Sequence, residues 1–93
     1  MGYGGPGMKL ERMKNIPNAN ELLDGVLYYS EDYNTAIHRC ACGCGHEVVT
    51  PLGNNGWELM LKGEMFSLHP SIGNFSFPCQ SHYWIRDSEV VWA

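Results

Sequence analysis

The stretch TAIHRCACGCGHEVVT, from Thr35 to Thr50, decides how this chain folds. Its first part alternates, with Ile37 and Arg39 on one face and Ala36, His38 and Cys40 on the other, which is the period of a β-strand. Gly43 and Gly45 interrupt that strand, and Glu47–Leu52 resumes as another, ending near Pro51. Between them Cys40, Cys42 and Cys44 recur at every second residue. In an extended strand those cysteines span about 14 Å, too far for one ion with Zn–S bonds of about 2.3 Å. A tight turn through the two glycines is therefore required if the thiols are to converge.

The same reading extends outward. Upstream, Asn20–Gly25 forms one capped turn and Val26–Tyr29 a compact apolar strand. Downstream, Gly53-Asn54-Asn55-Gly56 is a reversal, followed by a strand Trp57–Lys62 with Trp57, Leu59 and Leu61 inward. Met65–Leu68, Ser81–Arg86 and Glu89–Trp92 complete the set, the last two separated by a turn at Asp87-Ser88. No amphipathic helix and no longer repeat emerges. The expected fold is mostly β: a small two-layer or zinc-stapled antiparallel β domain over residues 20–93. Residues 1–19, with four glycines and a proline in the first seven, are expected to form a flexible N-terminal tail.

Composition bounds the function. A chain of 93 residues, 44% hydrophobic and 17% charged, is the size of one small domain whose apolar core calls for a metal, a disulfide or a partner. Six Lys+Arg against ten Asp+Glu give a net charge of -4, which supplies no footprint for a nucleic-acid backbone. No run of about 18 apolar residues offers a membrane span, and the N-terminus lacks the apolar centre of a signal peptide. The expected location is the cytoplasm, where cysteines serve more naturally as metal thiolates than as disulfides. Phosphate loops, dinucleotide fingerprints, EF-hands and His-Glu-x-x-His helices are absent from the sequence.

Six groups compete for four zinc positions: Cys40, Cys42, Cys44, His46, Cys79 and His82. The preferred set is Cys40, Cys42, Cys44 and Cys79, a closed site for one structural Zn²⁺ that staples distant parts of the chain; His82 is the alternative ligand. Reduced redox-active thiols and a disulfide are the competing readings. His46 and His69 read as loop histidines, and Trp57, Trp84 and Trp92 as core or rim aromatics. For catalysis, Ser71 is the more attractive nucleophile, with His38 or His82 as its base and backbone N–H groups near Gly73 as oxyanion donors. Ser81 is the alternative nucleophile, although adjacent strand residues such as Ser81 and His82 face opposite sides.

The segments HRCACGCGHEVVTPL and FSLHPSIGNFSFPC, the intervening Trp57 and the ending CQSHYWIRDSEVVW resemble a family of small bacterial proteins. Some of its members are found in gene neighbourhoods with ubiquitin-like proteins and their activating and conjugating enzymes. The resemblance covers about Leu23 to Ala93. It implies a metal-binding signature falling on Cys40, Cys42, Cys44, Cys79 and His82. It further implies either a peptidase that matures or removes a ubiquitin-like modifier, or a noncatalytic zinc-stabilised adaptor of such a system. The implied partners are the modifier or its conjugation enzymes.

Overall fold

Short strands build two four-stranded sheets, in a computed structural model that describes residues 7–93. The first sheet runs in the order β1 (Lys9–Met13), β2 (Val26–Ser30), β3 (Thr35–Arg39), β4 (Glu47–Pro51). The second runs β5 (Glu58–Lys62), β6 (Met65–Gly73), β7 (His82–Arg86), β8 (Glu89–Trp92). All neighbours pair antiparallel except β1 with β2. The mostly β, two-layer expectation is met, and the only helix among the described residues is a 3₁₀ turn at Ala19–Glu21.

The two layers meet over one core. Leu27, Ala36, Cys40 and Val48 from the first sheet pack with Phe66, Leu68, Ile72, Tyr83 and Ile85 from the second. Burying each such aliphatic side chain contributes about 1.5–3 kcal/mol, so Ile85, wholly inaccessible, is a main anchor of β7. The opposite face of the first sheet is covered by a second cluster, in which Leu22 packs with Tyr28 and Ile37. There the Leu23 N–H donates to the Tyr28 hydroxyl at 2.9 Å, tying the capped turn onto the sheet.

Three expectations change. Lys9–Met13, assigned to the tail, is edge strand β1, paired from Lys9↔Val26 to Met13↔Ser30. KLERM has too little alternation to announce a strand; it is held by β2 and by Leu10 against the core. Residues 1–6 of the expected tail lie outside the described residues. Leu61, expected inward, is 52% exposed on the edge strand β5. Finally, β6 does not stop at Leu68: it continues through His69, Pro70 and Ser71 to Gly73, with a register shift between Leu68 and Ile72. Ser71 and His69 are strand residues beside an irregularity rather than residues of a free loop.

Turn chemistry follows the sequence closely. Asp87 and Ser88 both have positive φ (48° and 64°), the backbone of a tight hairpin between β7 and β8. Gly43 and Gly45 are left-handed at 89° and 86°. They bend the connection between β3 and β4 back on itself, with the Cys40 N–H donating to the His46 carbonyl at 2.8 Å.

Candidate functional site

The bent β3–β4 connection brings three thiols to a fourth from the β6–β7 loop. Cys40, Cys42, Cys44 and Cys79 have their sulfurs all within 4.8 Å of one another. The separations are 3.5 Å for Cys40–Cys42, 3.6 Å for Cys44–Cys79 and 3.9 Å for Cys40–Cys79. A tetrahedron with Zn–S bonds of about 2.3 Å has edges of about 3.8 Å, so the set has the dimensions of a four-thiolate metal site. All four cysteines are free, so they form no disulfide.

Other groups surround the sulfurs. The Cys44 N–H lies 3.3 Å from Cys42 Sγ, and His46 Nδ1 lies 3.1 Å from Cys44 Sγ, its ring stacked on Phe77. Asn74, 6% exposed, extends Nδ2 to Ser81 Oγ at 3.0 Å and to Cys40 Sγ at 3.7 Å. Hydrogen bonds from the Ser81 hydroxyl and backbone hold the Cys79 thiol down at about 6. Burial pushes Cys42 up to about 12 and raises Cys44. The cluster can hold a metal ion, which would bind the thiols as thiolates.

The β6–β7 loop that carries Cys79 also joins the two strands carrying Ser71 and His82. Asn74 N–H donates to the Ser81 carbonyl at 2.8 Å, and the next pair is Gly73↔His82. On the outer face of this hairpin, Ser71 Oγ stands 2.8 Å from His82 Nε2. Both side chains are half-buried, and the His82 ring meets Phe75 edge-on at 5.4 Å and Trp84 at 5.9 Å. Among the described residues no carboxylate bonds the His82 ring; aromatic rings flank it. A serine hydroxyl against an imidazole nitrogen at this distance can pass its proton to the ring while its oxygen attacks a carbonyl.

The remaining candidates separate clearly. His38, wholly inaccessible, joins Tyr83 through Nε2 and the phenol oxygen at 2.6 Å, and burial lowers its pKa to about 4. It sits on the inner side of β7, whereas Ser71 is bonded to His82 on the outer side. Ser81 turns inward to the thiols, 3.1 Å from Cys40 Sγ, because it alternates with His82 along the chain. His82 is engaged by Ser71, and the group of convergent metal ligands consists of the four cysteines. Gly73 has a steric role: a Cβ there would meet Phe75 Cε2 at 2.6 Å, so the glycine lets that ring fold beside His82.

Two contributors escaped sequence reasoning. Asn74 lies in a loop with no spacing signal, and its bonds exist only once that loop closes. Trp57 donates from Nε1 to the Ser71 carbonyl at 3.3 Å, a contact across 14 residues that an apolar reading of the aromatic would not disclose.

A serine hydroxyl set against an imidazole, and four thiols that could together hold a metal ion, thus stand on one β scaffold. A family model described as "Bacterial ubiquitination-like system serine protease (BubE)" matches residues 12–93, and the chain belongs to that family of hydrolases. No curated protein and no solved structure gives a significant match. The peptidase expectation thus agrees with the family, and so does the association with a ubiquitin-like system. Among the described residues no helix is long and apolar enough to cross a membrane.

Proposed function

We propose that Ser71 is the nucleophile and His82 its base in a peptidase that cuts a ubiquitin-like modifier from a C-terminal extension or a conjugate. The observation that carries this reading is the 2.8 Å contact between Ser71 Oγ and His82 Nε2 on an accessible strand face. Ser71 Oγ attacks the carbonyl carbon of the scissile bond as its proton passes to His82 Nε2. His82 then returns that proton to the leaving amine or alcohol, which departs from the acyl-enzyme. A water, deprotonated by His82, releases the modifier's carboxylate and restores Ser71.

One structural Zn²⁺ on Cys40, Cys42, Cys44 and Cys79 fits this scheme. Four thiolates would complete its coordination, so it would supply folding energy rather than an activated water. Its ligand Cys79 lies in the loop between the strands of Ser71 and His82, so the ion would tie that loop to the β3–β4 connection. The partners are the modifier or its conjugation enzymes. The cytoplasm suits four thiols kept as metal ligands.

The test mixes the metal-loaded protein with the cognate ubiquitin-like protein, supplied as an extended precursor and as a conjugate, and follows products by intact mass. Multiple turnovers at one bond, abolished by Ser71→Ala with binding and metal content retained, are expected. Saturable binding without cleavage of either substrate would leave a noncatalytic adaptor as the better account.

A further inference from the structure

Ser71 lies where its strand is least secured by regular pairing. Between Leu68 and Ile72 the β6–β7 register shifts, and on the other side the β5–β6 ladder ends at Glu58↔His69, two residues short of Ser71. A strand segment outside its ladders has backbone groups with no fixed partner, and its side-chain direction is correspondingly loose. The Ser71 carbonyl nevertheless has a partner, the Trp57 indole N–H at 3.3 Å.

Trp57 is itself held by backbone bonds at both ends of its peptide unit. Its N–H donates to the Pro51 carbonyl at 2.8 Å, and its carbonyl accepts from the Gly53 N–H at 3.0 Å. A bridge pairs Leu52 with Trp57. The loop is closed tightly enough that a Cβ on Gly56 would fall 2.1 Å from the Pro51 carbonyl oxygen, so only glycine fits there. The Pro51–Trp57 loop is thus a fixed bracket reaching from the first sheet, and its indole takes the place of a missing ladder bond at Ser71.

Building on the Ser71–His82 reading, we infer that Trp57 is a positioning residue for the nucleophile: its N–H on the Ser71 carbonyl holds that peptide so that Oγ stays aimed at His82. The Gly56-dependent loop sets the indole's place. This role acts through Ser71 and requires no contact between Trp57 and the substrate.

The experiment uses the full metal-loaded chain and variants Trp57→Phe and Gly56→Ala. A third form carries β-benzothienylalanine at position 57, which replaces the indole N–H by sulfur with little change of shape. Trp57 is half-buried beside an open cleft of about 570 Å³, a setting that tolerates the phenyl ring without leaving a sealed void. Zinc content and thermal unfolding report the fold. Cleavage of the extended modifier gives kcat and KM, and a fluorophosphonate probe gives the rate of adduct formation at Ser71. Nitrogen-15 spectra of the histidine rings report the Ser71–His82 hydrogen bond whether or not turnover occurs.

The benzothienyl form and Trp57→Phe should lower kcat and the labelling rate about five- to tenfold, the scale of one net hydrogen bond, with KM held within about twofold. The His82 Nε2 signal should move toward its position in Ser71→Ala, and Gly56→Ala should reproduce both changes from a distance. Unchanged kcat, labelling and His82 signal in a folded benzothienyl form would overturn the inference while leaving the peptidase reading intact. A rise in KM alone would also overturn it, by making Trp57 a substrate contact. If the wild-type protein neither cleaves nor labels at Ser71, the peptidase reading fails; the His82 signal then decides separately whether Trp57 orients that pair.

Discussion

Strand β7 carries two neighbouring residues with opposite fates, and each meets a polar partner. Tyr83 points inward and closes on His38 at 2.6 Å, in a place where both are inaccessible. His82 points outward and closes on Ser71 at 2.8 Å, where both remain half-buried. The two contacts have similar lengths and similar chemistry, a hydroxyl against an imidazole. Burial separates them: it favours a neutral His38 and keeps a substrate from either group, whereas the outer pair can exchange a proton with a reactant. The lesson is that a hydroxyl–imidazole contact becomes a candidate catalytic pair by standing on an accessible strand face, not by its distance alone.

The largest effect expected falls on the outer pair. Ser71→Ala should lower cleavage of the ubiquitin-like substrate by at least about 10³-fold, with folding and metal content unchanged. His38→Gln, altering the inner pair, should leave substantial turnover in whatever fraction folds. Initial rates normalised to folded protein compare the two; equal losses would erase the distinction between the faces.

Next in size is the staple beneath both. Strong chelation, or Cys79→Ser, should remove bound zinc and with it the cooperative unfolding transition, because metal-binding energy in a small domain is folding energy. His46→Ala, at an exposed ring 3.1 Å from Cys44 Sγ, should retain the ion and weaken its binding only slightly. Metal analysis and thermal melts on the same samples test this. A chelated protein that still melts cooperatively at the same temperature would show that the apolar core suffices.

The inner pair should reveal itself through acid. His38 is held near 4 in the fold against 6.5 in the unfolded chain, so below 6.5 the unfolded state binds the additional proton. Stability from this group is therefore complete above pH 6.5 and is lost as pH falls toward 4, by about 3 kcal/mol over the whole window. Urea unfolding at several pH values should give a shallower acid slope for His38→Gln than for wild type. Identical slopes would mean that His38 takes up its proton within the fold.

The smallest effect expected lies at an exposed ion pair of the first sheet. Arg12 on β1 pairs with Glu31 at 3.3 Å, with both side chains about two-thirds exposed at 63% and 66%. Arg12→Ala should change stability by no more than about 0.5 kcal/mol and leave cleavage unaltered. A larger loss would mark β1 as a contributor to the arrangement that the comparison of faces assigns to β6 and β7.

The sequence alone determined much of this protein, because the decisive signals are local. Alternation in Thr35–Arg39 and His82–Arg86, glycines at 43 and 45, and Asp87-Ser88 each specify their backbone from a few adjacent residues. The convergence of the four cysteines was legible by the same logic, soft donors around a glycine-bent turn with one remote thiol to close the group. Tertiary structure decided what depends on register and on contacts between distant segments. KLERM becomes a strand only beside β2, and β6 runs past Leu68 only because β7 accepts it beyond a register shift. Which of His38 and His82 stands within reach of Ser71 likewise turned on which face of β7 lies against the other sheet. A strand's side chains alternate with certainty, but which of the two sides becomes interior is settled by packing, since a one-residue slip exchanges them.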